Sequence, residues 1–326
     1  MPGAPILCYR SGPIPVASSP MASVPRILSV GALTQDTIYR LDELPRGPGK
    51  FIPIQAVQNA AGMASSAATA AKRQGADVAL WASVGDDWLG QELIAELSAE
   101  GIDCSGIRRV AGARSAIATI LVDARGERMI VPFYDPRATT APAALPFDIS
   151  QFDAVLADVR WPAAAAMALQ GAKAAGIPAI LDADVAARSV IEGLLPFASH
   201  IVASEPAAAI LCGDEISAPE AVQALHTRTG VFVAVTAGGD GTFWLDLESG
   251  RIRHTPAPKI TPVDTLAAGD VFHGSFAVGL AEGWDMERII RFASAAAALK
   301  CLQFGGRLGA PNRAETLAML EGQLAG

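Results

Sequence analysis

Between residues 152 and 207 the chain alternates two patterns, and this alternation limits the fold more than any other feature. The runs DAVLADVR, PAILDAD and HIVASEPA are short and apolar. The segments between them, 162–175 and 187–195, are Ala-rich and long enough for helices. Strands that return through helices pair in parallel, and a parallel sheet needs helices on both faces. The expectation is an α/β fold, a three-layer sandwich around a mostly parallel central sheet, with RILSVG (26–31) as its opening strand. Ligands of such sheets bind beyond the carboxyl ends of the strands. Asp158, Arg160, Asp182, Asp184, Ser204 and Glu205 all fall at such predicted ends.

A second region breaks the alternation. From 106 to 134 the sequence runs through SAIATILVD, then Arg125-Gly126 as a turn, then ERMIVPFY, a hairpin with alternating faces. The segments around Asp36 (LTQDTIYRLDEL) and Lys50 (GPGKFIPIQAV) are also extended. These stretches, about 36–58 and 106–134, predict roughly four strands without helices between them, a small β lid on the α/β core.

At 326 residues the chain can bury a large core, and residues 25–326 read as one domain with the lid inserted in it. The net charge of −8 argues against nucleic acid or an anionic membrane as partner, so an anionic substrate would need a local Arg or Lys. Cys8, Cys104, Cys212 and Cys301 lack paired metal spacing and read as reduced thiols of a cytoplasmic protein. Charges interrupt the apolar runs, so no membrane span is expected. Residues 1–24 are proline-rich without an apolar h-region. They read as a disordered N-terminal extension rather than a signal peptide.

The chemistry concentrates in Asp264-Thr265-Leu266-Ala267-Ala268-Gly269-Asp270, a turn of small residues opening a predicted helix over 268–282. A helix start offers unpaired N–H groups and a partial positive charge, and small residues let an anion approach closely. Asp270 in the first turn puts a carboxylate beside the same anion, which costs energy unless that carboxylate has a task. Taking a proton from an attacking hydroxyl is such a task. The pattern points to phosphoryl transfer, with the amides of Ala268, Gly269 and Asp270 stabilising the moving group and Asp270 as base. A tight turn whose acidic residue merely caps a helix is the alternative reading of these seven residues.

This stretch resembles the Asp-Thr-x-Gly-Ala-Gly-Asp signature of the PfkB/ribokinase carbohydrate kinases, with Ala267 in place of the first glycine. Val84-Gly85-Asp86-Asp87-x-x-Gly90 resembles the family's N-terminal signature, where the acidic residue caps a helix. The resemblance implies a ribokinase-like fold with a β lid through which a homodimer often forms. It also implies ATP-dependent phosphorylation of a primary hydroxyl of a small-molecule sugar, with Mg²⁺ accompanying ATP. By the same resemblance Asp36 binds sugar hydroxyls. Gly62 lies beside the sugar, in a loop where relatives carry two glycines and this chain has Ala61. Thr236, Gly238 and Gly241 match the nucleotide loop. Gly306 sits in the 303–307 loop that borders adenine in relatives and gives carbonyls to a monovalent cation such as K⁺. Many relatives carry Asn-x-x-Glu where this chain has Ser204-Glu205-Pro206-Ala207, leaving Glu205 as the candidate metal residue or an ordinary cap.

Within the family, LADVRWP, LDAD, SEPA and DVFHGSFAVGLAEG look most like the branch that phosphorylates 6-deoxy-6-sulfofructose. That resemblance implies that Lys50 and Arg160 grip the sulfonate, a strong acid suited to fixed cations. Pro132 stands where the branch uses an asparagine, and Arg160 pairing with Asp158 or Asp184 is the alternative to the clamp. Ala61, Pro132 and Ala267 keep two other readings open. One is a kinase for fructose, ribose or 2-keto-3-deoxygluconate; the other is a sugar- or nucleotide-binding regulator that has lost turnover.

Overall fold

The computed structural model describes residues 24–322, so the extension expected at 1–24 lies, but for Val24, outside the described residues. The first half of the chain forms strands β1 (Arg26–Gly31), β2 (Thr34–Arg40), β3 (Gln55–Ala61), β4 (Asp77–Gly85), β5 (Arg108–Val110), β6 (Ala116–Val122) and β7 (Arg128–Phe133). Helix α1 (Met63–Arg73) follows β3, and α2 (Trp88–Ala99) follows β4. Then come β8 (Ala154–Asp158), α3 (Pro162–Ala175), β9 (Ala179–Ala183), α4 (Arg188–Leu194), β10 (His200–Ser204), α5 (Glu205–Cys212), α6 (Ala218–Thr229) and β11 (Phe232–Thr236). The chain closes with β12 (Thr242–Asp246), β13 (Arg251–Thr255), α7 (Ala268–Ala281), α8 (Met286–Cys301) and α9 (Arg313–Leu320).

One sheet has the order β13-β12-β11-β10-β9-β8-β1-β4-β5, parallel except for the antiparallel edge of β12 and β13. Period-two burial explains the three layers. Leu28, Val30, Val155 and Ala157 face one side with α3, α4, α5 and α6, while Ile27 and Leu156 face the other with α1, α2, α7 and α8. The order reverses at β1, whose neighbours are β4 on one side and β8 on the other. A crevice therefore opens beyond the carboxyl ends of β1 and β8.

A second sheet has the order β3-β2-β6-β7. The β6–β7 hairpin forms as the alternation predicts. The lid contribution begins at Ala116 rather than near 106. Arg108–Val110 instead pairs in parallel with Ser83–Gly85 and extends the large sheet, because α2 returns the chain in the same direction as β4. Asp87 caps α2, accepting from the Gly90 amide at 2.8 Å, as its signature implied. The inner face of the lid, with Ile38, Ala118, Ile120 and Val122, packs on Leu266 and Phe304 and so sits directly against the small-residue turn. No helix among the described residues is long and apolar enough to cross a membrane. Cys104, Cys212 and Cys301 are free thiols.

Candidate active site

The turn from Asp264 to Asp270 owes its shape to Asp264, whose side chain is fully buried. One carboxylate oxygen accepts the Leu266 amide at 2.8 Å. The other accepts the amides of Gly305 and Gly306 at 2.9 and 3.0 Å, so the turn and the 303–307 loop are folded around one side chain. Ala267 then takes φ 62° and ψ 10° as N-cap of α7, and it is the one non-glycine residue with positive φ among the described residues. The Cβ clash of that conformation costs about 1–2 kcal/mol. The family glycine thus marks a true left-handed position, and this chain keeps the conformation with a methyl group on it.

Ala268, Gly269 and Asp270 open α7. The Ala268 amide turns back onto the Thr265 carbonyl at 3.3 Å, which narrows the expected three-amide hole. Among the described residues, no acceptor in the chain takes the Gly269 or Asp270 amide, and a side chain built on Gly269 would meet open space. Two helix-start donors are therefore unengaged, with open space beside Gly269. Burial, with Asp182 nearby, holds the Asp270 carboxyl well above its ordinary range. His273, one turn further on, is buried, and burial lowers its pKa. Its Nδ1 lies 2.7 Å from the Gly269 carbonyl and 3.4 Å from Asp182, and its Nε2 lies 3.3 Å from the Val202 carbonyl. His273 thereby fixes the first turn of α7 to the ends of β9 and β10.

Asp158, at the end of β8, has a structural task. Its carboxylate accepts the amides of Ala32 (2.8 Å), Ala64 (3.0 Å) and Arg160 (2.7 Å), joining β1 to the start of α1. It occupies the space where a Cβ of Gly31 would stand. Gly62, with φ 103°, is the N-cap of α1, and a Cβ there would lie 2.7 Å from the Ala32 carbonyl. Ala61 ends β3 in ordinary extended backbone, so its departure from glycine introduces no strain. Asp36 on β2 is buried opposite Asn59 and accepts from Thr34 Oγ1 at 2.7 Å. Burial pushes its pKa up to about 6 against the opposing pull of Thr34 and Arg307.

Arg160 follows β8 and donates to the Val185 carbonyl at 2.9 Å, with Asp184 at 3.8 Å. About a third of its side chain remains exposed, toward a narrow crevice lined by Gly31, Ser83, Ala116, Tyr134 and Trp161. Lys50 lies in the exposed β2–β3 loop and makes no hydrogen bond or ion pair among the described residues, so the structure does not join it to Arg160. Pro132 lies on β7, an edge strand where its missing N–H is tolerated, and pairs with Ala118 of β6. Tyr134 was missed by sequence reasoning. It lines the same crevice as Gly31, Arg160 and Trp161, and burial raises its phenol pKa.

Thr236 ends β11, and Gly238 and Gly241 take positive φ in the turn that follows. A Cβ at Gly241 would overlap the Thr255 carbonyl, and His254 Nε2 lies 2.7 Å from the Asp240 carbonyl. Beside this loop is a cavity of about 390 Å³ lined by residues that include His254, Pro256, Lys259, Arg291, Ser294 and Ala295. Its walls come from β13, the following loop, α8 and α9, too dispersed for a motif. Gly306 is buried under Asp264 and is not among the residues lining that cavity. Glu205 is exposed at the start of α5, where Ser204 provides the cap. No group of three or more His, Cys, Asp or Glu is gathered to hold a metal among the described residues. Glu205 therefore belongs to no metal cluster.

Comparison with known proteins agrees with this architecture. The sequence model of the pfkB family carbohydrate kinases matches residues 24–313. The ribokinase of Haemophilus influenzae is 30% identical over 301 residues, covering 90% of this chain and 97% of the relative. An Agrobacterium tumefaciens crystal structure, provisionally named a ribokinase, is 48% identical with a TM-score of 0.89 over 92% of this chain and 98% of its own. Arabidopsis thaliana ribokinase, solved with ribose and ATP, shares the fold at 22% identity, with a TM-score of 0.76 over 91% of this chain and 99% of its own. The chain belongs to the pfkB family of carbohydrate kinases, phosphotransferases that act on an alcohol group of a sugar.

Proposed function

We propose that the protein transfers the γ-phosphoryl group of MgATP to a primary hydroxyl of a sugar bound in the crevice between the β1–β8 strand ends and the lid. The observation that carries this reading is the pair of unengaged amides at Gly269 and Asp270, with the Asp270 carboxyl beside them. The amides receive charge on the moving phosphoryl group, and Asp270 takes the hydroxyl proton. Its raised pKa moves it toward the range in which a carboxylate is an effective base at neutral pH. Asp36 and the Gly62 backbone orient the sugar. The Thr236–Gly241 turn approaches the nucleotide phosphates, and the cavity beside His254, Lys259 and Ser294 takes the base. Mg²⁺ arrives with ATP as part of the substrate.

For the acceptor, we favour a ketose with an anionic end of the 6-deoxy-6-sulfofructose type. Arg160 supports this, since its guanidinium is tethered by Val185 at one nitrogen and keeps donors free beside Tyr134. Lys50 is close enough in sequence to the lid to join it only if the β2–β3 loop folds inward. The names of the relatives favour a second reading, ribose. The exposed apolar side chains of β7 (Met129, Ile130, Val131 and Phe133) suit a homodimer formed through the lid.

The test is ATP turnover against sulfofructose, fructose, ribose and 2-keto-3-deoxygluconate. Sulfofructose should be preferred, and Arg160→Ala should lower kcat/KM for it by about 10–100-fold, the loss expected for a charge-assisted contact. Unchanged selectivity in Arg160→Ala would leave Arg160 a structural tether and favour ribose. Asp270→Asn should lower kcat by about 10²–10⁴-fold with ATP binding intact; full turnover in that variant would remove Asp270 as the base.

A further inference from the structure

The resemblance leads one to expect a monovalent cation held by carbonyl oxygens near the Asp264 turn and the 303–307 loop. The residues present do not fit one there, because a lysine side chain already occupies the Asp264 oxygens of that turn. Lys300, in the last turn of α8, is fully buried, and it is the one buried lysine among the described residues. Its Nζ donates to the Asp264 carbonyl oxygen at 2.6 Å and lies 3.2 Å from the Asp264 carboxylate, itself fully buried. A carbonyl and a carboxylate oxygen converging in a dry site are two of the oxygen donors that suit a large monovalent cation, and an ammonium group is close to K⁺ in size and charge.

We infer that Lys300 is a built-in monovalent cation for this kinase, a positioning residue that makes catalysis independent of K⁺. The inference rests on the kinase reading above and deepens it. Its physical content is a chain of contacts. Lys300 neutralises Asp264, and Asp264 holds the amides of Leu266, Gly305 and Gly306. Leu266 precedes the left-handed Ala267, and Ala267 sets the direction of the Gly269 and Asp270 amides. Removing the ammonium would leave a buried carboxylate without its partner, a strongly unfavourable state that moves the turn. A bound K⁺ would add a second positive charge to oxygens already engaged. Burial lowers the pKa of Lys300, and the Asp264 carboxylate opposes that shift.

The first readout needs no sugar, so it can fail separately from the substrate assignment. Thermal unfolding of the full chain is followed in tetramethylammonium, sodium and potassium chloride at equal ionic strength. The wild-type midpoint should agree within about 1 °C in all three salts, and Lys300→Ala, with its emptied site, should rise by about 2 °C or more in potassium alone. The second readout is turnover of the preferred sugar. Wild-type kcat should change less than about twofold on adding K⁺. Lys300→Ala should lose about tenfold or more in kcat without K⁺ and regain part of it with K⁺ or methylammonium, while KM for the sugar moves little. A K⁺-specific rise of 2 °C or a tenfold K⁺ activation of the wild-type protein, each about the size expected for a specific bound ion, would overturn the inference. So would full activity of Lys300→Ala without any added cation. Should that variant fail to fold, the wild-type salt series alone decides.

Discussion

Replacing Asp36 by asparagine tests whether a lid carboxylate is kept for the substrate at the expense of the fold. Asp36 is buried on β2 of the lid sheet, with one hydroxyl partner and Arg307 as the favourable charge. A carboxyl held at about 6 in place of its ordinary 3.8 is penalised in the ionised form by about 3 kcal/mol at pH 8. The sign follows from proton counting. Between pH 4 and 6 the folded chain holds a proton at Asp36 that the unfolded chain has released, so this group's contribution to stability falls as pH rises through that window. Asparagine keeps the shape and the Thr34 hydrogen bond but carries no charge.

Asp36→Asn should therefore be more stable than wild type by up to about 3 kcal/mol at pH 8 and by only about 1 kcal/mol at pH 4.5. For a chain of this size that is a midpoint difference of about 5–10 °C narrowing to a few degrees. Comparing thermal midpoints of the two proteins across this pH range cancels the other titrating carboxyls, Asp158, Asp182 and Asp270. Activity should move the other way, with kcat/KM falling about 10²-fold as the sugar loses a charged acceptor. A variant less stable than wild type at pH 8, or a difference that ignores pH, would refute the reasoning and make Asp36 a structural residue.

Two further outcomes concern the turn and its support. Ala267→Gly relieves the left-handed methyl and should raise stability by about 1 kcal/mol, after the added freedom of glycine in the unfolded chain is subtracted. Turnover equal to the wild-type level in that variant, measured alongside its thermal midpoint, would show that the methyl group does not block the anion space; a large rise would show that it does. Arg307 is fully buried and reaches Thr69, Glu96, Glu100 and the Ala60 carbonyl, so Arg307→Met should cost about 3 kcal/mol by urea unfolding. A loss under 1 kcal/mol would place its partners in solvent, where such pairs contribute little.

The sequence carried local information faithfully. Period-two runs and Ala-rich helices gave the layers, and the 264–270 stretch put Asp270 in the first turn of α7 because capping and small-residue turns are properties of neighbours along the chain. What it did not carry is contact between distant segments. Lys300 meets Asp264 across 36 residues, His273 meets the Val202 carbonyl across 71, and Tyr134, just past β7, shares one crevice with Gly31 and Arg160. The same limit hid the bond from the Gly306 amide to the Asp264 carboxylate, since nothing local reveals that this amide is spent on a residue 42 positions away. Arg160 shows the opposite hazard. A cation at a strand end reads as a ligand clamp, yet part of its capacity is taken by the Val185 carbonyl, a backbone group with no signature.

Ala267 is the departure that most threatened the functional reading, and the structure explains why the turn survives it. A lone alanine forced to φ 62° would relax toward the right-handed region if the turn were held only by its own residues. Here the turn is gripped from three sides. Asp264 with Lys300 anchors its beginning, and His273 anchors the first turn of α7 through the Gly269 carbonyl. Above it, Thr265 accepts from Arg128 at 2.8 Å and donates to the Gly126 carbonyl at 3.3 Å, both on the lid hairpin. Each net hydrogen bond contributes about 1 kcal/mol, so these contacts together outweigh the 1–2 kcal/mol held at Ala267. The same arithmetic gives the lid a role in the chemistry. When the hairpin lifts, the turn loses the Thr265 pair and only the anchors beneath remain, so the amides are most firmly aimed when the lid lies over them.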